Sequence, residues 1–356
     1  MRPRARDLGL RPGQFAPGPL NAITDVAGVL VGQETRIAGE GTRTGVTAVR
    51  PHSGNLFAER VPAGLAVING FGKLAGATQL QELGELESPI VLVNTLAVGR
   101  AVEAVVDWTL ARNPEARSVN AVVGETNDGR LNDIRARGIT SQDVLLALDG
   151  ATDGPVAEGS VGAGTGTVAF GWKGGIGTSS RLLPAALGGF TVGALVQSNY
   201  GGALLMDGVP VGRMLGRFYL REHADKGDAD GSVMVVIATD APLSDRNLAR
   251  LALRAMAGLA RTGAAFSDGS GDYAIAFSTH PGVRRPAAGG MVADWPNERM
   301  SPLFVAAAEA VEEAVLNSLL RATTVESRDP ATGRKRRVEA IDIEAVRAAL
   351  RRPDAG

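Results

Sequence analysis

The junction between Gly231 and Ser232 is the feature of the sequence with the most direct chemical potential. A polar stretch, residues 214–231, runs straight into an apolar segment at residues 232–239. If the peptide bond at the junction is cut, Ser232 carries a free α-amine beside its own hydroxyl. An α-amine titrates at about pH 8, so roughly a tenth of it is unprotonated at pH 7 and can act as a general base. Ser232 would then be a self-sufficient nucleophile for acyl transfer.

The same junction has an interpretation that involves no chemistry. A serine at the first position of a buried strand is often only the residue at which the strand begins. Gly231 fits both interpretations, because glycine tolerates strained φ and ψ and leaves its carbonyl sterically open. Taken alone, the two residues favour a plain strand start.

Polar side chains at the ends of apolar segments form a second set of candidates: Glu125, Asn127, Asn199, Ser270 and Asp272. Such residues are often turn formers. In one enzyme pocket they would supply an anchor for an ammonium group, a donor to an oxyanion and a proton relay. Their spacing along the chain does not decide between these interpretations.

Cysteine and histidine offer few alternatives for a nucleophile or a base. The chain has no cysteine, which excludes disulfides, thiolate zinc sites and a cysteine nucleophile. Its three histidines, His52, His223 and His280, are far apart and lack metal-site spacing, so each is interpreted as a loop or surface residue. A Ser-His-Asp hydrolase stays possible, but no G-x-S-x-G elbow supports it. A hydrolase of this composition is expected to use another base.

A glycine-rich block, residues 159–177, matches neither phosphate-binding template. No G-x-x-x-x-G-K-[ST] is present, and Gly162, Gly164 and Gly166 alternate instead of giving G-x-G-x-x-G. Glycine lets another backbone or a substrate approach closely. The block therefore predicts close backbone packing beside a pocket rather than a nucleotide cradle.

The bulk composition excludes several classes of partner. Lys plus Arg, 37, nearly balances Asp plus Glu, 38, so bulk charge does not favour nucleic acid. The basic run at residues 334–337 is interpreted as a solvated turn or hairpin. The apolar runs are short and interrupted, and the N-terminus lacks the apolar region of a secretory signal. We expect a globular cytoplasmic protein without a membrane partner.

Buried strands alternate with helices in both halves of the chain. This pattern predicts sheets covered by helices, hence a layered α/β or α+β architecture in one domain, with strands from both sides of the polar stretch. Strands are predicted at residues 26–32, 45–50, 64–69, 89–94, 119–124, 167–172, 190–198, 232–239 and 272–278. Helices are predicted at residues 97–112, 141–148, 301–321 and 343–351, with a further long helix starting at 244–245.

Several long blocks, in the same order over nearly the whole chain, resemble the DmpA-type aminopeptidase family, which comprises L-aminopeptidase/D-amidase/esterases and β-peptidyl aminopeptidases. The blocks include GETNDGRLNDIR from Gly124, VGALVQSNYG from Val192, GSVMVVIATDAPL from Gly231 and GSGDYAIAFST from Gly269. The resemblance implies an α+β fold, a single-domain four-layer αββα sandwich like that of N-terminal nucleophile hydrolases with different strand connectivity. It also implies self-cleavage into an α chain, 1–231, and a β chain, 232–356.

The resemblance assigns roles to individual residues. Ser232 matches the nucleophile, Asn199 the oxyanion-stabilising asparagine, and Glu125 a carboxylate that receives the substrate's free amino group. The implied activity is release of N-terminal residues from small peptides, amides or esters, with no metal or organic cofactor. Relatives assemble as homo-oligomers, often tetramers of processed units.

Two positions depart from the family pattern. Ser270 and Asp272 match a Ser-x-Glu pair that orients the nucleophile and its amine, but the aspartate is one methylene shorter. Where some relatives have a tyrosine shortly after the glutamate, this chain has Asn127 and later Arg130, so the tyrosine donor of those relatives has no matching residue here. Two alternatives stay open: an acyltransferase or specialised amide hydrolase on the same scaffold, and an uncleaved, non-catalytic binding protein.

Overall fold

Two β-sheets form the middle of the computed structural model, which describes residues 2–221, 231–286 and 289–351. The first sheet has five strands. Strands are numbered in chain order, and their spatial order in this sheet is β1 (Leu30–Ala38), β2 (Thr42–Arg50), β6 (Ile90–Asn94), β7 (Val122–Thr126) and β4 (Leu74–Ala75). Only β6 and β7 run parallel.

The second sheet has seven strands. Its main order is β10 (Gly175–Leu182), β11 (Thr191–Asn199), β12 (Ser232–Thr239), β13 (Gly271–Ser278), β3 (Glu59–Gly70) and β14 (Arg285–Pro286), and β5 (Glu85–Leu86) pairs with β3. The central pair, β12 and β13, is parallel. This pair lies between β11 and β3, which both precede the polar stretch, so residues on the two sides of 214–231 build one sheet, as predicted.

Helices cover the outer faces of both sheets. The helices are α1 (Ala77–Leu83), α2 (Val98–Leu110), α3 (Ser141–Asp149), α4 (Val211–Met214), α5 (Asp245–Arg261), α6 (Ser301–Arg321) and α7 (Ile343–Leu350). Helices α2 and α3 pack on the five-stranded sheet, and α5 and α6 pack on the seven-stranded one. Among the described residues, no helix is both long enough and apolar enough to cross a bilayer.

The alternation of side chains along β12 shows how the layers form. Val233, Val235 and Ile237 belong to the core shared with α5 and α6, whereas Met234 and Val236 belong to the core between the two sheets. Successive residues of a strand point to opposite faces, so a strand covered on both sides is apolar throughout. The predicted four-layer αββα sandwich is confirmed.

Strand β10 begins in the glycine-rich block, and its composition does not predict a strand there. Strand β10 has few apolar residues, because α6 lies directly against it: a methyl group at Gly177 would be 1.9 Å from the carbonyl oxygen of Ala314. The predicted strand at 167–172 is instead a tight hairpin of β8 (Val168–Ala169) and β9 (Trp172–Lys173). The prediction of close backbone packing is confirmed, and the prediction of one continuous strand is wrong.

Two other predictions concern the ends of the fold. The strand predicted at 26–32 begins only at Leu30, because the chain turns at Gly28, whose φ is 93°. The basic run at 334–337 lies in a hairpin of β15 (Val325–Arg328) and β16 (Lys335–Val338), as predicted. Much of the polar stretch at 214–231, including His223, lies outside the described residues.

Candidate active site

Ser232 begins the central strand of the seven-stranded sheet and is flanked by two other candidate segments. Asn199, the last residue of β11, is its antiparallel partner, and Gly271, the first residue of β13, is its parallel partner. Ser232 is 5 % exposed and, by alternation with Met234, its side chain lies on the face toward the other sheet. Three distant segments of sequence therefore meet at one edge of the sandwich.

The carbonyl group of Gly231 accepts two hydrogen bonds. The Ser232 hydroxyl donates to its oxygen at 2.7 Å, and the backbone N–H of Gly271 donates to the same oxygen at 3.2 Å. The hydroxyl thus lies beside the bond that self-cleavage would break, and an amide donor lies where negative charge would develop on the oxygen. Gly271 was not among the sequence candidates, because a backbone donor has no residue-type signal.

Glycine is required at position 231 for a steric reason. A methyl group at this position would lie 2.0 Å from the carbonyl oxygen of Asn199. Close approach to β11 is therefore one reason for glycine at this position.

The side-chain amide of Asn199 is held by two backbone groups. Its Oδ1 accepts from the N–H of Val168 at 2.9 Å, and its Nδ2 donates to the carbonyl oxygen of Asn127 at 3.1 Å. The pair of contacts fixes which end of the amide carries the donors. Nδ2 has two N–H groups and makes one hydrogen bond among the described residues, so its second N–H can donate to an oxyanion beside Ser232.

Asn127 contributes its backbone to this arrangement, not its side chain. Its exposed side chain accepts a hydrogen bond from the N–H of Gly129 at 2.9 Å and so stabilises its own turn. A direct contact between the Asn127 side chain and substrate stays a prediction.

Ser270 and Asp272 form a buried pair. The Ser270 hydroxyl donates to Oδ1 of Asp272 at 2.6 Å, while Oδ2 is buried without a hydrogen-bond partner among the described residues. Burial raises the pKa of the Asp272 carboxyl, and the Ser270 hydroxyl partly opposes the shift. No described hydrogen bond joins either side chain to Ser232 or Gly231; the segment reaches the junction through the Gly271 N–H. Their orientation of the Ser232 amine stays a prediction.

Glu125 is a buried carboxylate without a described cationic partner. It lies near the end of β7, 2 % exposed, and its oxygens accept from the backbone N–H of Lys73 at 2.9 Å and from the Thr95 hydroxyl. Gly72 lies between Glu125 and Gly271, the partner of Ser232 on β13. A methyl group at Gly72 would lie 3.2 Å from both Glu125 Oε1 and Gly271 Cα. A buried carboxylate this close to Ser232's partner strand is suited to an ammonium group.

Histidine takes no part in this site among the described residues. The His52 ring lies between the carbonyl of Glu59 and the N–H of Gly54, and burial lowers its pKa. His280 accepts from the N–H of Gly282 in a local turn. The arrangement around Ser232 is therefore not a Ser-His-Asp triad in the described part of the chain.

Comparisons with known proteins agree on one family and one fold. Peptidase family S58 matches residues 21–332. The chain is 42 % identical over 347 residues to beta-peptidyl aminopeptidase BapA of Sphingosinicella xenopeptidilytica, covering 91 % of this chain and 86 % of that protein. Two solved structures are similar over almost their whole length.

The first is the PH0078 protein of Pyrococcus horikoshii OT3, with a TM-score of 0.88, 44 % identity and coverage of 98 % of this chain and 99 % of that one. The second is the L-aminopeptidase D-Ala-esterase/amidase of Ochrobactrum anthropi, with a TM-score of 0.86, 39 % identity and coverage of 98 % of both chains. The latter is described as a prototype for the serine aminopeptidases and a variant of the Ntn hydrolase fold.

Proposed function

Because this chain belongs to peptidase family S58 and is a hydrolase of the aminopeptidase type, we propose that it cleaves itself before Ser232 and then uses Ser232 as an N-terminal nucleophile. The observation that carries this proposal is the hydrogen bond of 2.7 Å between the Ser232 hydroxyl and the oxygen of Gly231. It brings a nucleophile to the only bond whose cleavage would free the amine of that same residue.

Self-cleavage proceeds in two balanced steps. The Ser232 hydroxyl attacks the carbonyl carbon of Gly231, the proton passes to the departing amide nitrogen, and an ester replaces the peptide bond. Water then hydrolyses the ester, which gives Gly231 a carboxylate and Ser232 a free hydroxyl and amine. The Gly271 N–H, already bonded to the Gly231 oxygen, would stabilise the oxyanion of the first step.

Turnover repeats the chemistry on an external substrate. The α-amine of Ser232 takes the proton of its own hydroxyl, and the oxygen attacks the carbonyl of the substrate's N-terminal residue. Asn199 donates to the oxyanion, and the proton is returned to the leaving amine. Water then attacks the acyl ester and releases the amino acid, so the nucleophile is regenerated.

The buried carboxylate of Glu125 would select substrates with a free amino group. The relatives' names point to β-peptidyl substrates in one case and to L-amino acid peptides and D-Ala esters or amides in the other. Their shared chemistry is an unblocked amine next to the scissile carbonyl. We propose small peptides and amino-acid amides of this kind as substrates. Assembly into a tetramer of processed units stays a prediction.

The intact mass of the purified protein tests the processing step. We expect the 36.7 kDa chain to convert into two chains whose masses sum to that value plus one water, with the second chain beginning at Ser232. Aminoacyl p-nitroanilide hydrolysis should rise in proportion to the cleaved fraction. Activity in a preparation that stays a single chain would contradict the proposal.

Replacing Glu125 by glutamine tests the role of the carboxylate. Glutamine keeps an oxygen for the Lys73 N–H and an NH₂ that can donate to the Thr95 hydroxyl, but it removes the charge. A charge-assisted hydrogen bond is worth about 1.5–3 kcal/mol, so kcat/KM for alanine p-nitroanilide should fall roughly 10- to 100-fold, mainly through KM.

N-Acetylalanine p-nitroanilide is the comparison substrate for this variant. The unchanged protein should prefer the free amine, and Glu125→Gln should lose most of that preference. Glu82→Gln, on the exposed face of α1, is the matched control and should retain it. A Glu125→Gln variant that still discriminates fully between the two substrates would rule out this carboxylate as the amine site.

A further inference from the structure

Lys173 and Asp128 are buried charged side chains that contact the two loops holding the Asn199 amide. Neither has a role in the mechanism given above. Lys173 is 0 % exposed and Asp128 is 1 % exposed. A buried lysine or aspartate is costly unless its charge is paired and its hydrogen bonds are made. Such residues need a structural or functional reason, and their contacts show what they hold.

Lys173 ties together the loop before β8. It lies on β9, and its Nζ donates to the carbonyl oxygens of Gly164 at 2.7 Å and Gly174 at 2.8 Å. Thr167 adds a longer contact at 3.5 Å. The loop from Gly164 to Thr167 leads directly into Val168, whose N–H is the donor to Oδ1 of Asn199. Lys173 thus fixes the loop that orients one end of the amide.

Asp128 anchors the other loop. It directly follows Asn127, whose carbonyl oxygen accepts from Nδ2 of Asn199. Its own Oδ1 accepts from Nδ2 of Asn132 at 3.0 Å, and its backbone oxygen accepts the N–H groups of Leu131 and Asn132. The carboxylate therefore pins the turn that supplies the second contact of the Asn199 amide.

The two loops also meet each other. A methyl group at Gly166 would lie 2.9 Å from Cβ and 3.4 Å from Cγ of Asp128, so the Lys173 loop packs directly on the carboxylate. The charges attract: Asp128 opposes the effect of burial, which lowers the pKa of Lys173 to about 7. Burial raises the pKa of Asp128 to about 6, and the neighbouring side chains of Thr44, Asn132 and Asn94 oppose that shift. Oδ2 of Asp128 is buried without a hydrogen-bond partner among the described residues.

We propose that Lys173 and Asp128 are positioning residues that act through Asn199, by holding the two loops that fix the direction of its amide N–H. The inference rests on the proposed function, in which that N–H stabilises the oxyanion. Catalytic donors must be held within about 0.5 Å of their productive position, and misplacement by 1 Å can reduce the rate on the order of 10²-fold.

The test combines Lys173→Met and Asp128→Asn with Asn199→Asp in double-mutant cycles. Rates are measured per cleaved molecule, with the cleaved fraction taken from the intact mass. Each single variant is expected to lower kcat roughly 10- to 100-fold while KM changes less than about 3-fold. In the Asn199→Asp background, where the donor is already gone, the same changes should lower kcat by less than about 3-fold.

A general weakening of the fold would give a different result. Arg181→Met is the matched control, because Arg181 is 0 % exposed and pairs with Glu309 and Glu313 on α6. It should lower the melting temperature without changing kcat at temperatures where the protein stays folded. Asp128→Asn, which keeps the size and an acceptor oxygen, carries the test if Lys173→Met does not fold.

Two outcomes would overturn the inference. One is an unchanged kcat in Asp128→Asn; the other is a loss in Lys173→Met or Asp128→Asn that multiplies fully with the loss in Asn199→Asp. Both differ from a failure of the proposed function, in which the unchanged protein would not self-cleave or Asn199→Asp would retain full activity.

Discussion

Replacing Ser232 by alanine is expected to leave a single chain of 36.7 kDa that has no measurable aminopeptidase activity. Among the described residues, the substitution removes the only side-chain group that donates to the Gly231 carbonyl, so the bond before residue 232 is not attacked. It also removes the nucleophile of turnover. Loss of the nucleophile in a serine hydrolase lowers kcat on the order of 10⁶-fold. Intact mass and hydrolysis of alanine p-nitroanilide are the two measurements.

Two further variants separate chemistry from folding. Ser232→Cys keeps a nucleophile at the same position and should still be cut, at a changed rate. Ser118→Ala alters an exposed serine and should be cut and active like the unchanged protein. A Ser232→Ala chain that is still cut between residues 231 and 232 would show that the cleavage does not depend on the serine hydroxyl.

Replacing Asn199 by aspartate is expected to lower kcat roughly 10²- to 10³-fold with a small change in KM, as when one oxyanion donor is removed in other hydrolases. Aspartate has nearly the same shape and keeps an oxygen for the Val168 N–H, but it has no N–H to donate. Its charge also faces the carbonyl oxygen of Asn127 and the developing oxyanion, which adds to the loss.

Steady-state kinetics on protein of known cleaved fraction measures this effect. Asn297→Asp is the matched control, because Asn297 is exposed and its oxygen already accepts from Arg246 and Arg250. It should leave kcat unchanged. If Asn199→Asp retained more than about a third of kcat, the oxyanion would have to be stabilised by other donors, with the Gly271 N–H as the first candidate.

The sequence predicts the sandwich well where strands are apolar on both faces. Strand β12 is a continuous run of Val, Met, Ile and Ala from residue 233 to residue 238, which only a doubly covered sheet accommodates. Strand β10 is equally buried but consists largely of Gly, Ser and Thr, because α6 approaches its backbone closely. Apolar periodicity cannot detect a strand whose burial depends on small residues.

In the candidate site, too, the sequence predicts some functional groups and not others. Side chains with a strong chemical identity, such as Ser232, Asn199 and Glu125, can be nominated from the sequence, and the fold brings their segments together. Backbone groups cannot be nominated, and the Gly271 N–H and the Asn127 carbonyl are set by strand register and turn geometry. Lys173 carries no signal either, because its burial follows from packing between distant segments.

The place of β12 in its sheet decides what a cut before Ser232 would do to the molecule as a whole. Eight residue pairs join β12 to β11, and eight join it to β13. The new N-terminus would therefore be the first residue of a central strand that is hydrogen-bonded to a neighbour on each side, and not part of an edge strand. The two chains, 1–231 and 232–356, would share one continuous sheet, and they would dissociate only when the whole molecule unfolds.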